Sequence, residues 1–394
     1  MSNVQFDDYE DEQDVAEQLS RGSVAAVVQG NDWTTETIVA QMKRGNIALN
    51  PRFQRRDAWS KGLKSRFIES LIVGLPIPQI VLAESADSRG KFMVLDGKQR
   101  LLSILQFWGD GDGPNNGYGL SGLTLRPDLK GTTFVSLSSE PSLEEDYNDL
   151  CNQPIRTVVI RNWKDTDFLH TIFLRLNTGS IKLSPQELRQ ALLPGPFSDH
   201  IDDAAGESKA LRELLKLSQP DPRMRDIEIL ARFLSFRFYA DEYPGRMKAF
   251  LDMSFHRFNS EWDILQDKLT MAEKDFEEGT YELLRVFKGR VARKPDSPQF
   301  NRAIFDCLIY YHSKAEVRDA LAGKDQEILE AYNNLFASAR NFVDAVESDT
   351  AGSPNTSTRF RLWGDSLRHL IGDLITVPAI PERKSMIEAI PAKA

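Results

Sequence analysis

A short apolar run, Lys91-Phe92-Met93-Val94-Leu95, breaks into the polar pentapeptide Asp96-Gly97-Lys98-Gln99-Arg100 and then into Leu101-Leu102-Ser103-Ile104-Leu105-Gln106-Phe107-Trp108. The first run has strand character. The last is apolar on nearly every turn and reads as a buried helix. The pentapeptide therefore sits where a strand becomes a helix, with Gly97 supplying the tight turn. Helix-start amides lie beside the positive end of the helix dipole and favour anions. Arg100 in the first turn adds a planar fork of donors suited to phosphate. A purely structural reading competes. In it Asp96 is the N-cap of the helix, and Arg100 pairs with a nearby carboxylate.

Around this turn the chain alternates element types. Thr34 or Thr35 can cap a helix over Glu36–Arg44 that Gly45 ends. Leu63, Phe67, Ile68 and Leu71 share one face of a helix over Gly62–Val73. Gly74 closes it, and Pro76 and Pro78 bar its continuation. Gln79–Ala83, Lys91–Leu95 and Ile155–Ile160 read as strands. Gly109–Gly119 is a flexible surface insertion that lacks the spaced oxygen ligands of a calcium loop. Asp165–Leu176 reads as a helix leading into an Asn177-Thr178-Gly179 turn. Ser184, Pro185 and Glu187 form a strong helix start. Beyond 197 helical spacing dominates, with helices expected over Asp226–Tyr239, Gly245–Arg257, Trp262–Val286, Phe300–Ser313, Lys324–Val346 and Arg359–Leu370. The expected class is α+β: an acidic, flexible arm over 1–32, a small mixed domain over 33–197 and an all-helical domain over 198–394.

The net charge of −9 argues against coating nucleic acid through bulk charge. The distribution says more. Residues 1–20 hold seven acids and no Lys or Arg, whereas residues 42–66 hold Lys43, Arg44, Arg52, Arg55, Arg56, Lys61, Lys64 and Arg66 against Asp57 alone. Such a basic block suits nucleotide phosphates or DNA, or serves simply as a solvated face. Trp59 stands beside Arg55 and Arg56, where it could stack on a base; Trp33, Trp108 and Trp163 read as core anchors. Two cysteines, Cys151 and Cys307, allow neither a zinc site nor a disulfide framework. With no apolar run of spanning length and no basic, apolar leader, the expected location is the cytoplasm, away from any membrane.

Further motifs come in a fixed order: Leu49-Asn50-Pro51-Arg52-Phe53-Gln54-Arg55-Arg56, then the pentapeptide, then Phe173-Leu174-Arg175-Leu176-Asn177-Thr178-Gly179, then Leu183-Ser184-Pro185-Gln186-Glu187-Leu188-Arg189. In this order and spacing, residues 33–255 resemble the family that forms the N-terminal domain of GmrSD-type restriction endonucleases. The same domain opens SspE-type phage-defence proteins. The resemblance implies a fold related to ParB and sulfiredoxin and a pocket that binds and hydrolyses nucleoside triphosphates; a phosphate-handling site also needs a group to hold Mg²⁺. Carried over by position, Asp96, Gln99 and Arg100 would be catalytic, with Asp96 also the metal ligand. Gln54, Arg55, Gly97, Asn177 and Arg189 would bind the nucleotide; Arg56 and Lys98, read from their charge and not from the resemblance, would add phosphate contacts. Lys98 departs from the usual Asp-Gly-Gln-Gln-Arg, which puts hydrolysis in question. Asn177 and Glu187 also have structural readings, as a turn residue and half of a capping box.

GmrSD-type enzymes carry a second domain with a His-Asn-His nuclease motif. Here His170, His200, His256, His312 and His369 are scattered. The expectation is a nucleoside triphosphatase in a prokaryotic or phage-related defence system, its nuclease or effector residing on another chain. A ParB-like DNA-binding or DNA-nicking module and a protein-interaction scaffold with a degenerate pocket are the alternatives. A phosphate-binding Gly-Lys-Ser/Thr loop is absent, and the signature lacks the cysteine that sulfiredoxin chemistry needs.

Overall fold

The computed structural model describes residues 27–48, 59–85, 88–109, 117–163, 169 and 184–381. The chain divides into two compact units between Ser184 and Pro185, ahead of the 197/198 boundary expected from the onset of helical spacing.

The first unit runs β1 (Val27–Thr34), α1 (Thr35–Lys43), β2 (Ile47–Ala48), α2 (Lys61–Ile72), β3 (Ile80–Glu84), β4 (Phe92–Asp96), α3 (Lys98–Trp108), α4 (Phe134–Ser139), α5 (Glu144–Asn152) and β5 (Pro154–Arg161). The strands form one mixed sheet in the order β1-β5-β3-β4-β2. β3 lies between a parallel β5 and an antiparallel β4. Its Ile80-Val81-Leu82-Ala83 run is buried on both faces, as a central strand of apolar residues should be. β1 pairs antiparallel with β5, Val27 opposite Arg161 and Thr34 opposite Pro154. This places 27–34 in the sheet, whereas the sequence assigned most of it to the arm. Its Gln-Gly-Asn-Asp centre reads as a loop, and only pairing with the distant β5 makes it a strand.

α1 and α2 both pack on α3 and α5. Their apolar faces (Ile38, Val39, Phe67, Ile68 and Leu71 among them) meet Leu101, Ile104 and Phe107 of α3 in one core with Ile80, Leu82 and Val159 of the sheet. Three tryptophans serve this core: Trp33 meets Phe92 edge-on, Trp59 meets Phe67 edge-on, and Trp108 lies 4.2 Å from Phe134 with the rings tilted by 30°.

Glu69 on α2 is 1% exposed. Its carboxylate accepts backbone N–H bonds from Thr124, Leu125 and Arg126 at 3.0, 2.7 and 2.6 Å. Burial opposes its ionisation, but these donors outweigh burial and hold its carboxyl below the ordinary 4.5. A group with a depressed native pKa contributes stability above its unfolded pKa and loses it as pH falls through the folded value. Glu69→Gln should therefore cost about 1–3 kcal/mol at neutral pH, because its amide cannot replace a charged acceptor for three donors. In denaturant melts, the gap to wild type should close as pH falls below 4.5. A gap that stays constant down to strongly acidic pH would contradict the role.

The second unit is helical among its described residues: α6 (Pro185–Leu192), α7 (Pro196–Glu207), α8 (Lys209–Leu215), α9 (Arg225–Tyr239), α10 (Met247–Ser260), α11 (Trp262–Val286), α12 (Arg302–His312), α13 (Ala315–Leu321), α14 (Asp325–Ser338), α15 (Arg340–Glu347) and α16 (Ser353–Ile371). The first unit's mixed sheet and these helices make the chain α+β with a helical C-terminal region. α11 begins and ends where its sequence pattern does. Gly279 lets α11 approach α12 closely, since a Cβ there would lie 2.6 Å from His312 O. The single helix expected over Lys324–Val346 is two, broken at Ala339 with φ −109° and ψ 82°. The break brings buried Phe342 edge-on to Phe336 at 5.4 Å, a packing gain that local helix propensity does not register. Both cysteines are free and buried. Among the described residues no helix is long and apolar enough to cross a membrane.

Candidate functional site

The strand-to-helix turn forms where the sequence places it. β4 ends at Asp96, α3 starts at Lys98, and Gly97 between them has φ 94° and ψ 11°. Side chains are costly in that left-handed region. A Cβ at 97 would also stand 3.0 Å from Ile80 Cγ1 and 3.4 Å from both Nε and Nη2 of Arg100. The ladder shifts just before the turn: Asp96 faces Val81, but Val94 faces Leu82. β4 thus carries one extra residue, Leu95, and such a bulge re-aims the side chains beside it.

Asp96 is not the N-cap. That position belongs to Gly97, which brings no side-chain cap. The first intrahelical bond runs from Leu101 N–H to Gly97 O, so the N–H groups of Lys98, Gln99 and Arg100 precede it. Asp96 instead receives Arg100. Nη2 of Arg100 donates to Asp96 Oδ2 at 2.7 Å, and Nη1 donates to Pro78 O at 2.8 Å. The pair is uneven in exposure: the Arg100 side chain is 8% accessible and that of Asp96 20%. Arg100 thus ties the end of β4 to the segment leading into β3, with its guanidinium against Gly97. Sequence reasoning missed Pro78. A backbone carbonyl leaves no side-chain signal, although the Pro76-Ile77-Pro78 spacing marks an extended segment that cannot join a helix.

Lys98 is buried and Gln99 half-buried on the first turn of α3. Ser103 Oγ donates to Gln99 O at 2.6 Å. The fold therefore gathers Asp96, Gly97, Lys98, Gln99 and Arg100 on one turn. Gln54, Arg55, Arg56 and Asn177 lie outside the described residues. Arg189 belongs to the helical unit. Its Nε donates to Asp252 Oδ1 and its Nη1 to Gln186 Oε1, each at 2.6 Å. Burial works against ionised Asp252, but Arg189 and Lys248 hold its carboxyl below the usual range. Glu187 is buried, with Arg223 at 3.7 Å.

The basic block is only partly available to an external anion. Lys43 Nζ donates to Gly109 O, the carbonyl just past the end of α3, and Lys64 Nζ donates to Gln106 Oε1. Those two lysines support the C-terminal end of the signature helix, where positive charge is favoured. Arg44, Lys61 and Arg66 are exposed. His200 Nε2 lies 2.8 Å from Glu273 Oε1, and its ring is 4.9 Å from that of Trp262.

Among the described residues no group of three or more His, Cys, Asp or Glu converges to hold a metal. Asp96 offers one partly accessible carboxylate. Mg²⁺ commonly takes one or two carboxylates and completes its shell with substrate phosphates and water. These residues fit Mg²⁺ as the companion of a bound phosphate and not as a resident ion in a protein cage.

Comparison with curated proteins and with solved structures gives no match. Comparison with family models gives one over residues 35–194, described as the GmrSD restriction endonuclease, N-terminal domain. The matched segment holds β2 to β5, the whole Asp96–Arg100 turn and α6. Residues 35–194 of this chain thus belong to the family of GmrSD restriction endonuclease N-terminal domains.

Proposed function

We propose that the Asp96–Arg100 turn is a nucleoside-triphosphate site, and that the protein hydrolyses the nucleotide within a restriction-type defence system. The observation carrying this reading is the glycine-hinged strand-to-helix turn, with Arg100 in its first helical turn, inside a domain of the GmrSD N-terminal family. A helix start favours phosphate through its dipole and amides. Arg100 supplies a guanidinium and Gln99 an amide for orientation. Gln54, Arg55, Arg56, Lys98 and Asn177 remain the proposed further contacts, whereas Arg189 is held by Asp252 and Gln186 in the helical unit. Mg²⁺ bound with the nucleotide would neutralise phosphate charge, and Asp96 is the residue placed to hold it or to orient water.

The effector belongs, in this reading, to another chain. His200, His256, His312 and His369 stand on four separate helices, and His200 is engaged by Glu273. Exposed Arg44, Lys61 and Arg66 keep DNA as the alternative ligand, while the roles of Lys43 and Lys64 inside the fold weaken it.

Asp96→Asn tests the chemistry. If Asp96 served only to shape the turn, Asn would do nearly as well and phosphate release would persist. The expected result is loss of at least about a hundredfold in phosphate release, in the range a positioned acid–base or metal-holding group supplies, with the fold retained. Undiminished release by the variant would remove Asp96 from the chemistry. Wild-type protein that binds nucleotide without releasing phosphate would make the protein a sensor and not a hydrolase.

A further inference from the structure

We propose that the Asp96–Arg100 pair acts as an electrostatic gate, making the site selective for a triphosphate already complexed with Mg²⁺ over the bare polyanion. This rests on the nucleotide reading and adds which form of the ligand the site accepts.

The two members of the pair are unequally exposed. Asp96 is the more accessible partner, at 20% against 8% for Arg100. The guanidinium is fixed on two sides, by Asp96 Oδ2 at 2.7 Å and Pro78 O at 2.8 Å. It also lies so close to Gly97 that a Cβ there would touch it at 3.4 Å. Arg100 therefore cannot swing outward to meet a ligand without giving up Pro78. A phosphate that pairs with Arg100 must come beside the more accessible Asp96 carboxylate, which holds the same guanidinium at 2.7 Å. A bare triphosphate must displace Asp96 and leave that carboxylate unpaired beside added negative charge, a repulsive arrangement. A divalent cation reverses the sign. One carboxylate together with phosphate oxygens is a normal Mg²⁺ ligand set. Asp96 can turn from Arg100 to the metal while Arg100 turns from Asp96 to phosphate. Every charge then has a partner both before and after exchange, so the exchange leaves no buried charge uncompensated.

Lys98, buried on the same turn, does not remove the bias. Its positive charge serves bare and metal-bound triphosphate alike, whereas the Asp96 carboxylate distinguishes them.

The test is calorimetric titration of the full chain with ATP, GTP, CTP and UTP, each with excess Mg²⁺ and each with EDTA. Wild-type protein should bind the preferred nucleotide at least about tenfold more weakly in EDTA, the size of one charge-assisted hydrogen bond. Asp96→Asn keeps an acceptor for Arg100 but removes the charge. It should bind the bare nucleotide at least about tenfold more tightly than wild type does, with Mg²⁺ then changing affinity by less than about threefold. Asp96→Ser, a smaller neutral residue, should behave the same way, and circular dichroism melts check that either variant is folded. Equal wild-type affinity with Mg²⁺ and with EDTA overturns the gate and leaves the nucleotide site standing. Unchanged Mg²⁺ dependence in both folded variants does the same, as does weaker binding of both ligand forms, which would make Asp96 a strut. Wild-type protein that binds no nucleotide in either condition overturns the nucleotide reading and the gate together.

Discussion

Asp306→Ala is expected to lower the unfolding free energy by about 3–5 kcal/mol, the usual cost of removing one member of a buried ion pair. Asp306 on α12 and Arg232 on α9 have side chains 3% and 1% accessible. Arg232 reaches the carboxylate through Nε at 3.0 Å and Nη2 at 2.5 Å. Glu228 and Arg302 continue the cluster, with Arg302 Nε 3.3 Å and Arg232 Nη1 3.8 Å from Glu228 Oε1. Among the described residues, two acids and two arginines thus meet in the interior of the helical unit. Alanine removes the carboxylate that Arg232 holds most closely, and little solvent reaches the buried guanidinium to compensate. Urea denaturation of wild type and variant measures the loss. The double replacement Arg232→Met with Asp306→Leu should recover much of it, because an apolar pair removes both desolvation penalties. A loss below about 1 kcal/mol for Asp306→Ala would place the pair among surface-like bridges and contradict its structural role.

Arg100→Ala should have the largest effect on ligand binding. In the absence of ligand, Arg100 holds Asp96 and the Pro78 carbonyl. Its removal should cost about 1–3 kcal/mol of stability by leaving both acceptors unpaired. In the proposed complex the same guanidinium makes charge-assisted contacts to phosphate, worth about 1.5–3 kcal/mol each. Nucleotide affinity should therefore fall by at least about tenfold at a temperature where the variant is folded. Arg100→Lys should recover only part of the affinity, because an ammonium lacks the planar fork of donors that pairs with a phosphate. Unchanged nucleotide affinity in folded Arg100→Ala would remove Arg100 from the site.

Much of this architecture was legible in the sequence where an element carries its own signal. The Lys91–Trp108 stretch changes from strand-like to helical character across a glycine, and the fold turns there. Trp262–Val286 sustains an apolar stripe over many turns, and α11 has those bounds. What could not be read depends on partners far away in the chain. β1 looks like part of a polar arm because the first half of the strand is exposed on both faces; β5 makes it a strand. The break at Ala339 has no proline or glycine to announce it and is set by where Phe342 packs. At the site, sequence offered two structural roles for the signature. The N-cap role fell to Gly97 because the turn closes one residue later than an aspartate cap would require. The pairing role held, with Asp96 itself as the carboxylate. Local spacing permits an i,i+4 pair, but only the bulge at Leu95 and the position of Pro78 fix Arg100 in it. For Gln54, Arg55, Arg56 and Asn177, the assignments rest on resemblance alone, since they lie outside the described residues.

Whether a nucleoside triphosphate binds at the Asp96–Arg100 turn can be read from thermal unfolding of the full chain with each of the four nucleoside triphosphates and Mg²⁺. A ligand that binds only the folded state raises the unfolding temperature in proportion to the logarithm of its concentration over its Kd. A concentration-dependent rise with at least one nucleotide is expected, reduced in the folded Arg100→Ala variant. No rise with any of the four at saturating Mg²⁺, or an equal rise in wild type and Arg100→Ala, would refute the assignment of the nucleotide to this turn.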